Sequence, residues 1–373
     1  MRMRPLSKDS GDAGESGYVL QVMSYKRDKG MYQIIVNPTS SSGKGMEAWN
    51  EIRTILNRRN VTYEVHMLQN AGEATQVVQG LTADGNEANI LVVGGDGTLN
   101  EVLNGIQDFD HTKVSCIQTG SGNDFARNMH LEKNVERAIM HLLGQPEEIV
   151  LDYGEVTVRV DGTGDARVDG RQRGVGDAHL DGRQSGVYGD DMDACRDSTV
   201  RKKRFMISSG VGYDANICEE VSRSRLKAVL NKIHLGKLVY VLIGVKQIFA
   251  KKTVRAKLYL DDAPVMKLPE LFFVVGMNHM YEGGGIPFCP NADPTDGRLD
   301  VCLVKGMSRL KLLLAVVLVY FKKHLLFKDI TNHRCKKMRL VTETPQWIHM
   351  DGETPYKVRE ITWESKGKLR FVR

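Results

Sequence analysis

Cysteines and aromatic residues are scarce in this chain of 373 residues, which has six cysteines and only 7% Phe, Trp and Tyr. The cysteines form no C-x-x-C pair and have no histidine at metal-ligand spacing, which argues against a zinc site and a disulfide framework. Residues 1–30 lack the apolar segment of a secretory signal and are predicted to form a loose leader. We therefore expect a soluble globular protein of the reducing cytoplasm.

Long apolar runs are also missing, since a membrane span takes about twenty residues and the longest run is shorter. That run, Leu312 to Phe321, has basic residues on both sides. Because a helix that is apolar all round is usually buried, we predict an internal core helix. A helix seated in the membrane surface is the less favoured alternative.

The formal net charge is modest, at +6, and the basic residues form short clusters at 201–204 ("RKKR") and 333–337 ("HRCKK"). Such clusters are typical of solvated surfaces, and they would also suit an anionic membrane. No recognition motif or platform of aromatic and basic residues accompanies the charge, so nucleic acid is not an expected partner.

Strand-like and helix-like patterns alternate from Tyr32 to about Val150, which predicts a parallel sheet covered by helices. Extended segments dominate afterwards, with helices around 219–250 and 309–327. We divide the chain into an α/β nucleotide-binding catalytic domain at 31–148 and a β-rich domain at 149–373.

A tandem duplication interrupts the second domain: "DARVDGRQRGVG" at 165–176 is followed by "DAHLDGRQSGVY" at 177–188. Glycine and alternating charges dominate it, so it buries too little apolar surface to offset the entropy of ordering. We predict a disordered insertion at 157–203. The sequence indicates no purpose for it.

The stretch "NILVVGGDGTLNEVLNGI" at 89–106 places Asp96 between glycines, after a predicted strand and before a predicted helix. It lacks the third glycine of a dinucleotide fingerprint, and "NPTSSSGKG" at 37–45 does not fit a Walker loop. In an α/β sheet, ligands bind at the carboxyl ends of strands, and a helix start attracts phosphate. The pattern therefore favours a magnesium–nucleotide site over a simple glycine-rich connector.

Three further stretches carry acids or glycines. "TGSGNDFAR" at 119–127 repeats the strand, glycine turn and helix, although Asp124 could merely cap its helix. "EGGGIPFCPNADPTDGRLDV" at 282–301 reads as a glycine flap with either a metal loop or a tight turn. "MDGE" at 350–353 places Asp351 and Glu353 around one glycine, and in isolation it would be a hairpin turn.

Taken in order, these motifs resemble the soluble, bacterial-type diacylglycerol kinases and the sphingosine-kinase-like lipid kinases, whose catalytic domain is related to NAD kinases. The resemblance extends from about Tyr32 to Phe371, apart from the repeat insertion. It depends on "NPTSSSGKG", "GGDGTLNEV", "GSGNDFAR", "LDYG", "GVGYDA", "GGG", "DGRLD" and "DGE". It implies an NAD-kinase-like α/β domain, a C-terminal β-sandwich and a nucleotide cleft between them.

The resemblance also implies roles for individual residues. Catalytic roles fall to Asp96, which acts on the catalytic Mg²⁺, and to the acid pair Asp351 and Glu353, of which we favour Glu353 as the base. ATP would be held by Asn37, Pro38, Thr39, Ser40, Gly43, Gly95, Asp96, Gly97, Thr98, Leu99, Asn100, Glu101, Ser121, Asn123 and Asp124. A structural Mg²⁺ would be held by Asp296 and the carbonyls of Asp293 and Arg298, and coupled through Asp152 to Asp96.

The function expected from this resemblance is ATP- and Mg²⁺-dependent phosphorylation of a membrane lipid, with diacylglycerol as the leading substrate. The enzyme would be cytoplasmic and would visit the inner face of the membrane. The alternatives are another lipid substrate, such as a sphingoid base or phosphatidylglycerol, an NAD kinase, and a nucleotide-binding regulator without activity. The sequence leaves open which lipid is used, which acid is the base, and whether the chain forms a homodimer.

Overall fold

Strands and helices alternate through the first part of the chain in a computed structural model that describes residues 31–161, 198–224 and 236–373. The predicted leader at 1–30 lies outside the described residues. The elements are β1 (Tyr32–Val36), α1 (Lys44–Arg58), β2 (Tyr63–Met67), α2 (Glu73–Thr82), β3 (Ala88–Gly94), α3 (Asp96–Gly105), β4 (Thr112–Gln118), α4 (Asp124–Asn128) and α5 (Val135–Gly144).

The four strands form a parallel sheet in the order β2-β1-β3-β4. Alternate residues point to opposite faces of a strand, so neighbours in sequence enter different cores. Ile34 and Val36 pack in the layer with α1 and α5, whereas Ile35 and Val92 pack in the layer with α2 and α3. The predicted helix-covered parallel sheet is confirmed.

Antiparallel strands dominate the rest of the chain. The elements are β5 (Glu148–Asp161), β6 (Ser198–Phe205), β7 (Ser208–Gly212), α6 (Tyr213–Arg223), α7 (Gly236–Ala250), β8 (Val254–Leu260), β9 (Met266–Met277), β10 (Leu299–Lys305), α8 (Arg309–Val319), β11 (Ile330–Cys335), β12 (Lys337–Met350) and β13 (Glu353–Val372). A second core lies between these strands, around the fully buried Trp363. The predicted β-sandwich is confirmed.

The final strand joins the two halves of the molecule. Over its first part β13 pairs antiparallel with β12, and near its end Arg370 and Phe371 pair in parallel with Lys113 and Val114 of β4. It also pairs along its second half with β5. The same strand thus runs from the β12–β13 turn to the amino-terminal part of β4.

The predicted insertion at 157–203 is wrong at both ends. The strand β5 continues through Asp161, and β6 begins at Ser198, with the two paired antiparallel from Gly154 opposite Phe205 to Asp161 opposite Ser198. This ladder pairs the backbone polar groups of 157–161 with those of 198–202, so these residues are ordered despite their polar composition. The duplicated repeats at 165–188 lie outside the described residues.

The prediction of an internal core helix at Leu312 to Phe321 is only half right. One face of α8 is buried through Leu312, Ala315 and Val319, but the opposite face, with Leu314 and Val317, is exposed. The periodicity of burial was invisible in a segment that is apolar on every face. None of the helices within the described residues is long and apolar enough to cross a membrane.

Candidate active site

The three predicted nucleotide loops meet at the carboxyl ends of β1, β3 and β4. They are joined by hydrogen bonds of Asn37 Nδ2 to Thr98 Oγ1 (3.1 Å), Thr119 Oγ1 to Ser40 Oγ (3.0 Å) and between the Ser41 and Ser121 hydroxyls (3.3 Å). These loops follow parallel strands, whose carboxyl ends necessarily lie at one edge of the sheet. The structure therefore brings together residues from "NPTSSSGKG", "GGDGT" and "TGSG".

The glycines of these loops serve different purposes. A Cβ at Gly95 would lie 3.0 Å from the Cα of Gly120, and a Cβ at Gly120 would lie 2.7 Å from the Cα of Gly95, so these loops pack backbone against backbone. Gly94 makes room for the side chain of Thr98, because a Cβ added at Gly94 would lie 2.7 Å from the Cβ of Thr98. Space around Gly97 is open. Of these glycines, Gly97 is the one beside which a phosphate has room.

Asp96 is the first residue of α3, and its carboxylate faces the start of α4. Its oxygens accept hydrogen bonds from the backbone N–H groups of Asp124 (3.0 Å) and Phe125 (3.3 Å). Burial raises the pKa of Asp96 above its ordinary value, while those two donors and the charge of Arg127 oppose the rise. The fixed amide dipoles at a helix start favour the ionised form.

Asp124 does not cap its own helix, because α4 begins without a side-chain cap. Its carboxylate instead accepts the backbone N–H of Gly284 at 2.7 Å and forms an ion pair with Arg127. Burial and the charge of Asp96 raise the pKa of Asp124, against the Gly284 N–H and Arg127. The residue thus ties the glycine flap at 283–285 to the nucleotide loops.

The carboxylate oxygens beside Gly122 are suitable ligands for a magnesium ion. A Cβ at Gly122 would lie 3.3 Å from Asp96 Oδ2 and 3.8 Å from Asp124 Oδ2, so the glycine leaves room between two carboxylates. Mg²⁺ prefers oxygen ligands and is commonly bound through one or two carboxylates and the substrate phosphates. Asp96 and Asp124 supply that set.

The "DGE" motif is a hairpin turn as well as a part of the site. Asp351 and Gly352 both have positive φ, 48° and 88°, and they join β12 to β13. The Asp351 carboxylate accepts backbone N–H groups of Met206, Ile207 and Ser208 at 2.7 to 3.0 Å. Burial raises the pKa of Asp351, and these hydrogen bonds oppose it.

Asn100 connects this turn to the nucleotide loops. Its Nδ2 lies 2.7 Å from Asp351 Oδ2, and Asn100 is one helical turn after Asp96 on α3. The same amide donates to the carbonyl of Arg204 at 3.1 Å. A single helix therefore sets the position of the "DGE" turn relative to Asp96.

Glu353 has different surroundings from Asp351. Its side chain is 46% exposed and pairs with Lys203 Nζ at 2.5 Å. Burial raises the pKa of nearby Glu101, and the charge of Glu353 adds to the rise while Lys203 opposes it. Of the two acids of the motif, Glu353 is the one with access to solvent.

Not all predicted nucleotide residues offer their side chains to the cradle. Leu99 is buried in the core beneath α3, so it contributes only its backbone. Thr39 Oγ1 donates to Asn37 Oδ1 at 3.1 Å, within the loop that also contains Pro38. Gly43 has a φ of 105° and precedes α1, and Asn123, with a φ of 53°, precedes α4.

The predicted metal loop at 293–298 packs against β5. Asp152 accepts the N–H of Gly297 at 2.7 Å and pairs with Lys368 at 2.5 Å. The other side chains are engaged locally: Asp293 Oδ1 accepts from Thr295 N and Oγ1, and Asp296 accepts the Arg298 N–H and pairs with Arg334 at 3.5 Å. The four predicted residues are thus neighbours, and the structural Mg²⁺ stays a prediction.

The sequence reasoning missed Lys203, because its basic cluster was assigned to a solvated surface and to the insertion. In the structure Arg204 donates to the carbonyls of Leu103 and Ile106 and lies 4.9 Å from the Phe109 ring. The alternation of "RKKRF" along a strand, which sends Lys203 and Phe205 to the same face, was the available signal.

A buried charged triad beside the "DGE" turn was also missed. His349 Nε2 lies 2.9 Å from Asp214 Oδ2 and 3.3 Å from Glu282 Oε1, and Gly210 leaves the space for this contact. Burial alone would lower the pKa of His349, but the charges of Glu282 and Asp214 outweigh it and raise the pKa to about 9. Burial raises the pKa of Glu282 to about 7.

Comparison with known families gives two matches that together cover most of the chain. Residues 31–156 match the family model of the diacylglycerol kinase catalytic domain. Residues 207–361 match that of the YegS C-terminal NAD kinase beta sandwich-like domain. The two matched regions correspond to the parallel sheet with its loops and to most of the sandwich.

Curated relatives match over most of the chain. "Putative lipid kinase YtlR" of Bacillus subtilis is 24% identical over 87% of this chain and 94% of its own length. A diacylglycerol kinase of Mycobacterium tuberculosis is 22% identical over 88% and 90%. The crystal structure of a diacylglycerol kinase from Bacillus anthracis shares the fold, with a TM-score of 0.57 and 18% identity over 91% of this chain and 96% of that one. The chain belongs to the diacylglycerol kinase-like family of lipid kinases, and it is a kinase.

Proposed function

We propose that this lipid kinase transfers the γ-phosphoryl group of ATP, with Mg²⁺, to the free hydroxyl of diacylglycerol. The observation that carries the proposal is the link from Asp96 through α3 and Asn100 to the "DGE" turn. Phosphoryl transfer needs a nucleotide cradle, a metal-binding acid and an acid that accepts the hydroxyl proton. The helix α3 begins at Asp96 beside the cradle and, through Asn100 and Asp351, holds the turn that carries Glu353.

Asp96 and Asp124 would hold Mg²⁺, which when bound supplies positive charge to the phosphates during transfer. The backbone N–H groups that donate to Asp96 orient its carboxylate and oppose the rise in its pKa that burial causes. Ser40 and Ser121 would contribute hydroxyls to the phosphates, because their loops meet around Gly95 and Gly120, next to the "GGDGT" turn.

Glu353 would accept the proton of the lipid hydroxyl. Its carboxylate is accessible, whereas that of Asp351 is occupied by three backbone N–H groups and the Asn100 amide. Asp351 therefore acts as a positioning residue that fixes the turn. Lys203 would direct the Glu353 carboxylate through their ion pair.

The second Mg²⁺ site is also part of the proposal. Asp296 with the carbonyls of Asp293 and Arg298 would hold this ion, and Asp152 would couple the loop to the sheet through Gly297. Its bound charge would stabilise a loop that is already held by the ion pair of Asp296 with Arg334 and by the hydrogen bond from Lys368 Nζ to the Thr295 carbonyl.

The test is phosphate transfer from labelled ATP with Mg²⁺ to a panel of diacylglycerol, phosphatidylglycerol and a sphingoid base in mixed micelles, with NAD assayed in solution. Asp96→Ala serves as the blank. Labelled phosphatidic acid supports the proposal. Label in another lipid or in NAD corrects the substrate, and ATP binding without any product contradicts transfer to these acceptors.

A further inference from the structure

Two neighbouring helices of the second half expose apolar side chains instead of burying them. On α7, Val241 and Phe249 are 55% and 59% exposed, and they lie on one stripe. On α8, Leu310 and Leu314 are 78% and 51% exposed, and Phe321, two residues after the end of the helix, is 68% exposed. Soluble proteins rarely expose contiguous apolar areas of this kind without an interaction to cover them.

The two stripes belong to one surface. The helices α7 and α8 are in contact, and Arg309 Nε, at the start of α8, donates to the carbonyl of Phe249 at 2.9 Å. Each helix keeps its opposite face in the core, through Val239 and Ile243 on α7 and through Leu312, Ala315 and Val319 on α8. We call the exposed residues Val241, Phe249, Leu310, Leu314, Val317 and Phe321 the α7–α8 surface.

Lysines stand at the edge of this surface. Lys252 follows α7, and Lys322, Lys323 and Lys328 follow α8; all four are exposed. Among the described acidic residues none forms an ion pair with these four, whereas Lys246 and Lys311 nearby pair with Glu220 and Asp329. An apolar face with a basic rim matches the interface of an anionic bilayer, where acyl chains lie beneath negative headgroups.

The surface adjoins the active site. Lys322 Nζ lies 6.0 Å from the ring centroid of Tyr281, which directly precedes Glu282 and the glycine flap. The backbone of Tyr281 exchanges two hydrogen bonds with the side chain of Asn128, at the end of α4. Contact of the α7–α8 surface with a bilayer would therefore place the flap, and the cleft that it borders, at the lipid headgroups.

We propose that the α7–α8 surface docks on anionic phospholipid membranes and delivers the lipid hydroxyl to the cleft. This inference deepens the proposed function and depends on it for the identity of the delivered lipid. A second copy of the chain is a poorer occupant, because a two-fold contact would bring the unpaired lysines of both copies together. The α7–α8 surface contains none of the residues that we place in the catalytic site.

The experiment is sedimentation of the full chain with vesicles of phosphatidylcholine, with and without phosphatidylglycerol. The double variant Leu314→Ser/Phe321→Ser should weaken binding to the anionic vesicles by about tenfold or more, since two apolar contacts are lost. Lys322→Glu/Lys323→Glu should weaken binding mainly at low salt. The matched control is Val65→Ser/Val265→Ser, which removes exposed apolar groups elsewhere and should bind normally.

Activity on two forms of the substrate separates this inference from the proposed function. Both α7–α8 variants should phosphorylate a short-chain diacylglycerol dissolved as monomers at the wild-type rate and lose activity on vesicles. Wild-type binding to vesicles without any lipid phosphorylation would overturn the function alone. Two results would overturn the docking surface. One is equal vesicle binding by all variants, and the other is a wild-type chain that binds no vesicles but forms a dimer, which the double variant separates into monomers.

Discussion

Asp351 and Glu353 lie two residues apart at one turn, yet their different surroundings support different roles. Asp351 is held by backbone N–H groups and left-handed backbone, whereas Glu353 is exposed beside Lys203. The motif alone could not distinguish them, because the N–H donors come from the β6–β7 connection and the start of β7, 143 to 145 residues earlier. The contacts of β6 and β7 made the distinction.

Asp351→Asn should destabilise the fold as well as reduce activity. The amide would turn an N–H group towards Met206 or Ile207, and a buried donor without an acceptor costs about 1–3 kcal/mol. Urea denaturation should show the loss in the free energy of unfolding. Glu353→Gln is the control, and equal stability of the two variants would contradict the positioning role of Asp351.

His349 should make stability depend on pH. It faces Asp214, Glu282 and Asp351, and its pKa rises from 6.5 to about 9 in the folded chain. Its stabilisation is therefore complete below the unfolded pKa and is lost as the pH rises through about 9. Glu282, with a pKa raised from 4.5 to about 7, acts in the same direction, since the folded chain holds the proton more tightly.

The measurement is the free energy of unfolding of wild type and His349→Gln from about pH 6 to about pH 9.5. Breaking a buried ion pair typically costs about 3–5 kcal/mol, so the variant should be far less stable near pH 6. The difference should shrink towards pH 9.5, where His349 is neutral. A difference that stays constant with pH would contradict a charged His349.

At the scale of elements, much of the nucleotide cradle was predictable because its residues follow strands locally. Each of the loops at Asn37, Asp96 and Ser121 comes directly after an apolar strand, and parallel strands place such loops together. The triad of Asp214, Glu282 and His349 was not predictable in this way. Its members come from a helix start, a loop and an antiparallel strand, and no spacing in the sequence relates them.

Gly120→Ala should disturb the cradle. Its Cβ would lie 2.7 Å from the Cα of Gly95 and 2.8 Å from Asn123 Oδ1, so the two loops must separate. We expect the dissociation constant for ATP to rise by about tenfold or more, because backbone positions next to phosphates tolerate little displacement. Isothermal titration calorimetry would measure the change.

Gly97→Ala tests the phosphate position without disturbing the packing of the loops. Its Cβ meets nothing within 4 Å, so the folded chain should keep its melting temperature. Weaker ATP binding by this variant would then report phosphate beside Gly97. Unchanged ATP affinity in both variants would contradict the cradle.

At the scale of the molecule, the two halves share β13, and the insertion leaves and re-enters at the far end of the β5–β6 ladder. That ladder is intact up to Asp161 opposite Ser198. The insertion predicted from composition was too long because composition carries no information about antiparallel strand pairing. That pairing provides hydrogen-bond partners for the backbone of β6, although its side chains are polar. Lys203 therefore belongs to β6 and not to the insertion, and it lies at the candidate active site beside Glu353.

Deletion of residues 165–188 should leave the fold and the activity nearly unchanged. The residues that remain between Asp161 and Ser198 suffice for a hairpin connection. Melting temperature and phosphate transfer, each compared with the full chain, would test this. A large fall in melting temperature would show that the duplicated repeats stabilise the sandwich.

The most direct test of the account is the rate of phosphate transfer from labelled ATP to diacylglycerol by wild type and by Glu353→Gln. We expect wild type to form labelled phosphatidic acid, and the variant to be slower by about 10²- to 10⁴-fold with an unchanged melting temperature, because the base is removed from an exposed position. No labelled lipid from wild type, or an equally active variant, would contradict the central claim.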